Sequence, residues 1–217
     1  MAILYLASTE QLDDGLNVAL IPLLPAARQR RINNSPSEQV RRLNIAAGGL
    51  LLFAMREAGL PDAAEISLTE KGKPYFAEYP DFHFSLSHSG IWAACAVGGE
   101  ELGVDIQKTV SVKRQMQERC LYDAERVWLD SLPDTERDAA FCRLWSLKEA
   151  LLKAKGCGLS IRPDQVQVTD AQGRISCDGF HFREFSLSGY AVAVCCRQES
   201  IEPQARSVDL RSLLRIG

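Results

Sequence analysis

Two segments of this chain share residues at a constant separation of 101 positions. The string Phe-Ser-Leu-Ser begins at Phe84 and again at Phe185. Further matches at this separation are Arg42-Leu43 with Arg143-Leu144, Leu50-Leu51 with Leu151-Leu152, and Gly72 with Gly173. A fixed register over such a length is typical of a duplicated structural unit. The sequence therefore predicts two copies of one α+β unit.

Each predicted copy contains a long amphipathic helix and several strands. The spacing of apolar residues predicts helices over 37–58 and 134–155, the second ended by Gly156 and Gly158. Strands are predicted near 65–68, 82–87 and 91–97, and near 102–107, 166–169, 181–187 and 191–196. A further helical segment is predicted over 112–132. The predicted fold is α+β, a pseudo-twofold duplication of two helix-plus-antiparallel-sheet halves with the active site in the cleft between them.

The predicted boundaries follow from this duplication. The N-terminal half is expected over 1–101, the C-terminal half over 102–199, and a tail over 200–217 that packs back on the body as a short helix. Because a cleft between halves of one chain needs no second subunit, we expect a monomer.

Composition excludes several classes of protein. A formal net charge of −3 argues against a general nucleic-acid binder. The N-terminus lacks the basic region of a signal peptide, and no stretch approaches the roughly 20 apolar residues of a membrane span. The seven cysteines show no CxxC spacing and lie mostly in apolar runs, which favours reduced, buried thiols and a cytoplasmic protein.

Two acidic residues in the second half have the pattern of a metal site. Asp105 lies in the apolar run LGVDI, where a buried carboxylate is costly unless it is paired or bound to a cation. With Glu149 it supplies the one or two carboxylates that Mg²⁺ usually takes from a protein. Gln107 shares a strand face with Asp105 and is a candidate neutral ligand or water acceptor.

The helix that carries Glu149 also places Trp145 and Lys153 on the same face, each one turn apart. The alternative to a functional role is a surface ion pair between Glu149 and Lys153.

A histidine and several basic residues are candidates for binding an anion. His88 lies between two serines, and Lys73 lies in a Gly-Lys-Pro turn, so both are candidate phosphate donors. A Ser-His-Asp triad is the alternative for His88, although no GxSxG motif is present. The basic residues from Arg28 to Arg31 and at Arg41 and Arg42 form either an anion site or a solvated helix face.

Four motifs together resemble those of the Sfp-type 4′-phosphopantetheinyl transferases of bacteria, in the holo-acyl-carrier-protein synthase superfamily. They are GKP at 72–74, FSLSHSG at 84–90, GVDIQ at 103–107 and WSLKEALLKAKGCGL at 145–159. The resemblance covers nearly the whole chain, and the last motif is the most specific. It implies a pseudo-dimer of two α+β halves with coenzyme A in the cleft.

The resemblance also implies roles for individual residues. Asp105 and Glu149 would hold Mg²⁺ against the coenzyme A pyrophosphate, and Gln107 stands where members of this type often have a glutamate. Lys153 would contact the same phosphates. The remaining coenzyme A contacts implied are Ser87 and His88 at the nucleotide end, Lys73 and Pro74 beside the adenine and its 3′-phosphate, and Arg41.

The implied reaction transfers phosphopantetheine from coenzyme A to a serine of an acyl or peptidyl carrier protein and releases 3′,5′-ADP. Glu149 is the predicted base, directly or through a metal-ordered water, and Lys153 is predicted to stabilise the leaving phosphate. The basic segment 112–132 is a candidate docking surface for the carrier protein. The alternatives are a metal-dependent pyrophosphate hydrolase and a non-catalytic relative that only binds carrier proteins.

Overall fold

The protein is described here from a computed structural model that covers residues 1–177, 179–197 and 200–215. Within these ranges the helices are α1 Asp14–Leu20, α2 Ala26–Asn33, α3 Glu38–Glu57, α4 Arg114–Cys120, α5 Asp123–Ser131 and α6 Asp134–Ala154. The strands are β1 Ile3–Ser8, β2 Ile66–Leu68, β3 Pro74–Phe76, β4 His83–Ser89, β5 Trp92–Gly98, β6 Leu102–Lys108, β7 His181–Leu187, β8 Tyr190–Cys196 and β9 Arg206–Ser207. Among the described helices, none has both the length and the apolarity required to cross a bilayer.

Two sheets form the centre of the molecule. The first has the strand order β4-β5-β1-β9 and the second β6-β8-β7, and all their pairings are antiparallel except β1 with β9. One apolar core lies between α3 and the first sheet, another between α6 and the second, and a third between the two sheets. The layers therefore run helix, sheet, sheet, helix, and the α+β prediction is confirmed.

The central strands are buried on both faces, which explains their continuous apolar sequences. In β5, Ala93 and Cys95 face the core under α3, whereas Ala94 and Ala96 face the other sheet. Successive side chains of a strand point to opposite faces, so a strand between two cores needs apolar residues at every position. The small alanines on the inner face allow the two sheets to pack closely.

In each of the two predicted halves, residues 1–101 and 102–199, a long helix is followed by a β-hairpin, but the hairpins do not follow the predicted register. β4 and β7 begin at residues 83 and 181, and β5 and β8 begin at 92 and 190, a separation of 98 residues rather than 101. Phe84 pairs with Val97 far from its turn, whereas Phe185 pairs with Val192 near its turn. The repeated string does not mark equivalent positions, and the pseudo-twofold duplication stays a prediction.

The strand predicted over 166–169 is wrong, because side chains bind the backbone groups that a sheet would use. The N–H of Val168 donates to the Glu125 carboxylate at 2.9 Å, and the C=O of Val166 accepts from Lys148. Thr169 forms an isolated bridge with Ile175. The segment predicted to be helical over 112–132 forms the two helices α4 and α5.

The C-terminal tail packs against the first half. β9 pairs with β1, which lies inside the first sheet, and Leu210 and Leu213 belong to the core under α3. Residues 210–214 form the short helical turn expected for the tail. The predicted boundary at residue 199 lies outside the described residues, and the division into halves stays a prediction.

A ladder of serine side chains joins the halves where β4 and β6 lie side by side. Backbone N–H groups of β6 donate to the three serine hydroxyls of β4, which lie at alternate positions of that strand. The residue numbers of the bonded partners increase together along both strands, so the strands run parallel. These hydrogen bonds join Val104 to Ser85 at 3.1 Å, Ile106 to Ser87 at 3.4 Å and Lys108 to Ser89 at 3.0 Å. Serines two residues apart point to one face of a strand. The serine ladder thus fixes β4 against β6.

A glycine sets the distance between α6 and β6. A Cβ atom on Gly103 would lie 2.0 Å from the carbonyl oxygen of Ala150 and 2.5 Å from the backbone nitrogen of Ala154. Both obstacles are helix backbone, which cannot rotate away as a side chain can. Gly103 therefore allows α6 to approach the strand that carries Asp105.

Replacing Gly103 with alanine is expected to lower the free energy of unfolding by about 3 kcal/mol, because overpacking against backbone forces the helix to shift. The matched control is Gly99→Ala, where the nearest atom to an added Cβ is 4.0 Å away. Urea unfolding followed by circular dichroism measures both. Equal stabilities of the two variants would contradict the close-approach argument.

Candidate active site

The Asp105 carboxylate is buried in β6 and binds side chains from three elements. Its Oδ1 accepts hydrogen bonds from Ser87 Oγ and Lys153 Nζ, each at 2.7 Å, and its Oδ2 accepts one from Gln107 Nε2 at 2.8 Å. Ser87 belongs to β4, Lys153 to α6 and Gln107 to β6 itself. A buried carboxylate needs such partners, so Asp105 joins the two halves at this point.

Glu149 lies near Asp105 on α6 and is only partly exposed. Burial raises the pKa of the Glu149 carboxyl, the neighbouring Asp105 charge raises it further, and Lys153 acts in the opposite direction. Within the described part of the chain, the Glu149 carboxylate makes no hydrogen bond and no ion pair. The site therefore holds two neighbouring carboxylates, one of which lacks a partner.

This pair of carboxylates fits a magnesium ion. A divalent cation would offset the repulsion between Asp105 and Glu149 and the cost of burying their charges. Gln107 donates through its nitrogen to Asp105, which leaves its amide oxygen as an acceptor. The described residues contain no cluster of three or more His, Cys, Asp or Glu side chains suited to a metal. Two carboxylates with water and phosphate oxygens suit Mg²⁺ rather than zinc.

Lys153 pairs with Asp105 and not with Glu149, so the surface ion pair considered from the sequence is wrong. Its Nζ lies 2.7 Å from Asp105 Oδ1 and also donates to the carbonyl oxygen of Val104 at 3.0 Å. The helix spacing places Lys153 one turn from Glu149, but the approach of α6 to β6 at Gly103 brings the strand carboxylate closer.

A cavity of about 390 Å³ lies beside these carboxylates and is lined by both halves. Its walls come from α2, α3, the turn before β3, strand β4, and the end of α6. Ser87 and Lys153 line it and both bind Asp105, whereas Asp105, Gln107 and Glu149 are not part of the lining. Its described lining contains five basic residues and no acidic one: Arg28, Arg31, Lys71, Lys73 and Lys153. In a chain of net charge −3, this concentration of positive charge favours an anionic ligand.

Arg28 carries a polar group that the protein leaves without a partner. Its Nη2 donates to the carbonyl oxygen of Asn44 at 3.2 Å, but its buried Nε has no acceptor among the described residues. Burial lowers the pKa of Arg28 to about 10, and the neighbouring charge of Arg31 adds to that effect. A buried donor without an acceptor is costly, so an anion in the cavity would stabilise this side chain.

His88 also lines the cavity and belongs to β4, which extends beyond the strand predicted over 82–87. Burial lowers the pKa of His88, and the charges of Arg31, Arg28 and Lys153 lower it further. Ser87 bonds directly to Asp105, and the side chain of His88 alternates to the other face of the strand. The Ser-His-Asp triad considered from the sequence is therefore wrong.

The Gly-Lys-Pro turn packs against the end of α6. Lys73 Nζ donates to the carbonyl oxygen of Ala154 at 2.8 Å, and its Cδ would lie 3.0 Å from a Cβ on Gly156. Burial lowers the pKa of Lys73. Because Gly156 has a φ of +62° and leaves room for the lysine, the turn and the helix end close one wall of the cavity. Pro74 lies in the same wall.

The structure brings most of the predicted site residues together but not Arg41. Arg41 Nη1 lies 3.6 Å from Glu38 Oε1, and Arg41 is not among the residues that line the cavity. Arg28 and Arg31, from the same basic cluster of the sequence, line the cavity instead. The serine ladder is the other missed feature, although three serines at alternate positions of a strand were a visible signal.

Comparisons with known proteins identify relatives of this chain. A sequence model of the 4′-phosphopantetheinyl transferase superfamily matches residues 101–195. The chain is 32% identical over 156 residues to the 4′-phosphopantetheinyl transferase Sfp of Bacillus subtilis (strain 168), which covers 68% of this chain and 70% of that protein. It is 40% identical over 89 residues to the 4′-phosphopantetheinyl transferase psf-1 of Bacillus pumilus, covering 41% and 38% respectively.

One solved structure with similarity is the holo-[acyl-carrier-protein] synthase of Thermotoga maritima. It is 25% identical, covers 44% of this chain and 61% of that chain, and has a TM-score of 0.37.

The sequence matches place the chain in a family. The similarity to Sfp covers about two thirds of both chains, and the superfamily match runs from the start of β6 almost to the end of β8, a range that includes Asp105 and Glu149. The chain belongs to the 4′-phosphopantetheinyl transferase superfamily. Within it the protein is of the Sfp type, as the sequence motifs predicted.

Replacing Glu149 with glutamine is expected to stabilise the metal-free protein at pH 8. The pKa of Glu149 is higher in the folded protein than in the unfolded chain. The free energy of unfolding therefore falls as the pH rises from the unfolded-state pKa to the folded-state pKa, and it is not reduced below the unfolded-state pKa. Partial exposure limits the gain to less than about 1 kcal/mol. Urea unfolding at pH 4 and pH 8 measures it, and added Mg²⁺ should stabilise the unsubstituted protein but not the variant. No difference at pH 8 would contradict the burial of the Glu149 carboxylate beside Asp105.

Proposed function

We propose that this protein is an Mg²⁺-dependent enzyme that transfers phosphopantetheine from coenzyme A to a serine of an acyl or peptidyl carrier protein. The observation that carries the proposal is that Asp105, whose charge acts on Glu149, binds two residues that line a cavity with a wholly basic charged lining. A pyrophosphate needs such positive charge, and a divalent metal bound with it would take such carboxylates as ligands. Membership of the transferase family supports the same reaction.

In the proposed reaction the serine hydroxyl attacks the phosphorus atom that bears the pantetheine arm. A new O–P bond forms, and the bond between that phosphorus and the bridging oxygen of the pyrophosphate breaks. The hydroxyl proton passes to Glu149, and the electron pair leaves with 3′,5′-ADP. Bound Mg²⁺ supplies charge neutralisation on the pyrophosphate. Burial and the Asp105 charge raise the pKa of Glu149 in the metal-free site, and a nearby cation would keep the carboxylate ionised, as a proton acceptor requires.

Residues of this chain hold and orient the reacting groups. Asp105, Glu149 and the Gln107 amide oxygen would hold the metal. Lys153, fixed by Asp105 and the carbonyl of Val104, would stabilise the negative charge on the leaving phosphate. Ser87, predicted to contact the nucleotide, acts through its hydrogen bond to Asp105 as a positioning residue.

The rest of coenzyme A is proposed to occupy the basic cavity. Arg28 and Arg31 on one wall and Lys73 on the opposite wall offer donors to its phosphates, and His88 gains a proton more readily when an anion offsets the surrounding positive charge. We propose Arg28 and Arg31 as the main arginine contacts. Arg41 remains a candidate for a contact outside the cavity.

The inserted segment of α4 and α5 is the proposed docking surface for the carrier protein. Arg114 pairs with Glu118 and Asp130, and Arg126 pairs with Asp123, so part of its basic charge is already compensated. Apolar side chains are exposed beside these pairs: Val110, Met116, Tyr122 and Val127. A partly basic, partly apolar surface suits the acidic helix expected of a carrier protein.

The proposal includes a monomeric, cytoplasmic enzyme. One chain supplies the cavity lining from both halves, so catalysis needs no second subunit. Six of the seven cysteines are buried in the fold, as reduced structural thiols of a reducing compartment usually are.

Asp105→Asn and Glu149→Gln are each expected to lower the rate of transfer by at least about 1,000-fold, since each removes a charge from the metal site or the base. Both side chains keep their volume, and circular dichroism checks that the variants remain folded. Incubation with coenzyme A, Mg²⁺ and apo carrier proteins, followed by mass spectrometry of the carrier, measures the reaction. Hydrolysis of coenzyme A without a mass gain on the carrier would favour the hydrolase alternative, and near-normal turnover in either variant would contradict the assigned roles.

Arg28→Met and Arg31→Met are expected to raise the KM for coenzyme A by about tenfold each, since a charge-assisted hydrogen bond contributes about 1.5–3 kcal/mol. Arg30→Met on the same helix is the control, because Arg30 does not line this cavity. Arg41→Met tests the sequence-based assignment in the same assay. An effect of Arg41→Met larger than those of the two cavity variants would contradict the placement of the phosphates.

A further inference from the structure

A second charged pair lies outside the active site and has no role in the reaction proposed above. Glu125 on α5 and Lys148 on α6 are 2.7 Å apart, and both side chains have an exposed fraction of 0%. Charged residues are almost never fully buried unless they are paired. A pair so deeply buried in the fold is costly to form, and its position therefore needs an explanation.

Every polar atom of this buried pair has partners. Glu125 Oε2 accepts the backbone N–H of Tyr122 at 2.9 Å, which closes the start of α5, and Oε1 accepts the N–H of Val168 at 2.9 Å. Lys148 Nζ donates to the carbonyl oxygen of Pro163 at 2.9 Å and also to that of Val166. The pair thus joins three segments: α5, α6 and the connection 163–168.

The position of the pair on α6 links the inserted segment to the catalytic helix. Lys148 directly precedes Glu149, but points away from the active site toward α5. The shift of about 100° between successive residues of a helix places the two side chains on different sides. If α5 moved relative to α6, the proposed docking surface would therefore move relative to Glu149, the proposed base.

The coenzyme A cavity is held by other contacts. Gly156 N–H donates to the carbonyl oxygen of Lys153 and Cys157 N–H to that of Leu152, at 3.1 and 3.2 Å. Lys73 holds the carbonyl of Ala154. These bonds fix the end of α6 without Lys148, so loss of the buried pair should leave coenzyme A binding intact.

A second contact keeps α5 attached when the pair is removed. The ring of Trp128 lies under the guanidinium of Arg143 at 5.6 Å and packs against Gly173, where an added Cβ would be 2.2 Å from the ring. Without the buried pair, α5 would remain attached through Trp128 but lose its fixed orientation.

We propose that Glu125 and Lys148 are a positioning pair, which orients the inserted segment so that a docked carrier protein presents its serine to Glu149. The inference rests on the proposed function, because it takes α4 and α5 as the docking surface. It assigns these two residues to recognition of the carrier protein and not to coenzyme A binding or chemistry.

The test is the double variant Glu125→Gln with Lys148→Met. It removes both charges together and keeps the side-chain volumes, which avoids a buried unpaired charge, and the glutamine can still accept from Val168. The matched control is Arg56→Met with Asp62→Asn, an ion pair of 2.6 Å in the first half. Steady-state kinetics with varied carrier protein and varied coenzyme A, and hydrogen exchange of the backbone amides, are measured for both.

The expected result is a rise of about tenfold or more in the KM for the carrier protein with a KM for coenzyme A within about twofold of the original. Amide exchange should become faster over residues 114–131 and 163–168, and the control should change none of these. An unchanged KM for the carrier protein, or an equal rise in both KM values, would overturn the inference.

A second variant guards against misfolding of the double variant. Glu125→Asp keeps the charge but shortens the side chain, and it should raise the KM for the carrier protein by a smaller factor with the same pattern of exchange. Faster exchange without any rise in that KM would show a merely structural pair and overturn the inference. If the unsubstituted protein transfers no phosphopantetheine, the proposed function fails instead, and the exchange pattern still tests whether the pair orients α5.

Discussion

The Asp105 carboxylate is the interaction on which the arrangement of the site depends. Buried in β6, it binds Ser87 from the first half and Lys153 from the long helix of the second. The serine ladder carries the same connection along the whole edge between β4 and β6. Since a buried carboxylate without partners is costly, the residues that compensate Asp105 also hold the two halves in the geometry that forms the cavity.

The distribution of charge explains how an acidic chain can bind an anionic ligand. The acidic residues of the site are absent from the cavity lining, and Asp105 is covered by Ser87 and Lys153, whereas basic residues line the cavity itself. Burial disfavours the charged forms of Arg28, Lys73 and His88, as their lowered pKa values indicate, so an anion in the cavity would stabilise these side chains. The two carboxylates then provide a place for a cation at one end of a cavity suited to phosphates.

Helix α6 serves three purposes because its side chains point in three directions. One face approaches β6 so closely that only Gly103 fits beneath Ala150. The next carries Glu149 and Lys153 to the active site, and a third directs Lys148 into the buried pair with Glu125. A single rigid helix thus connects the catalytic residues, the sheet and the inserted segment, and this connection is the basis for assigning the pair a positioning role.

The sequence by itself determined the fold class, most helix and strand positions, the family and the set Asp105, Gln107, Glu149, Lys153, His88 and Lys73. These depend on local periodicity and on short motifs, which are properties of neighbouring residues. Tertiary structure alone decided that Lys153 pairs with Asp105 and not with Glu149. It also decided that Arg28 and Arg31 line the cavity in place of Arg41. Residues 166–169 form no strand for the same kind of reason, because a distant side chain binds their backbone. The sequence also did not predict that the two hairpins are separated by 98 residues, because a repeated string does not show which strand positions pair with each other. Each of these outcomes depends on which distant groups meet in space. Lys153 could pair with Glu149, four residues away on the same helix, or with Asp105, 48 positions away on a strand, and only the packing of the helix on the strand decides between them.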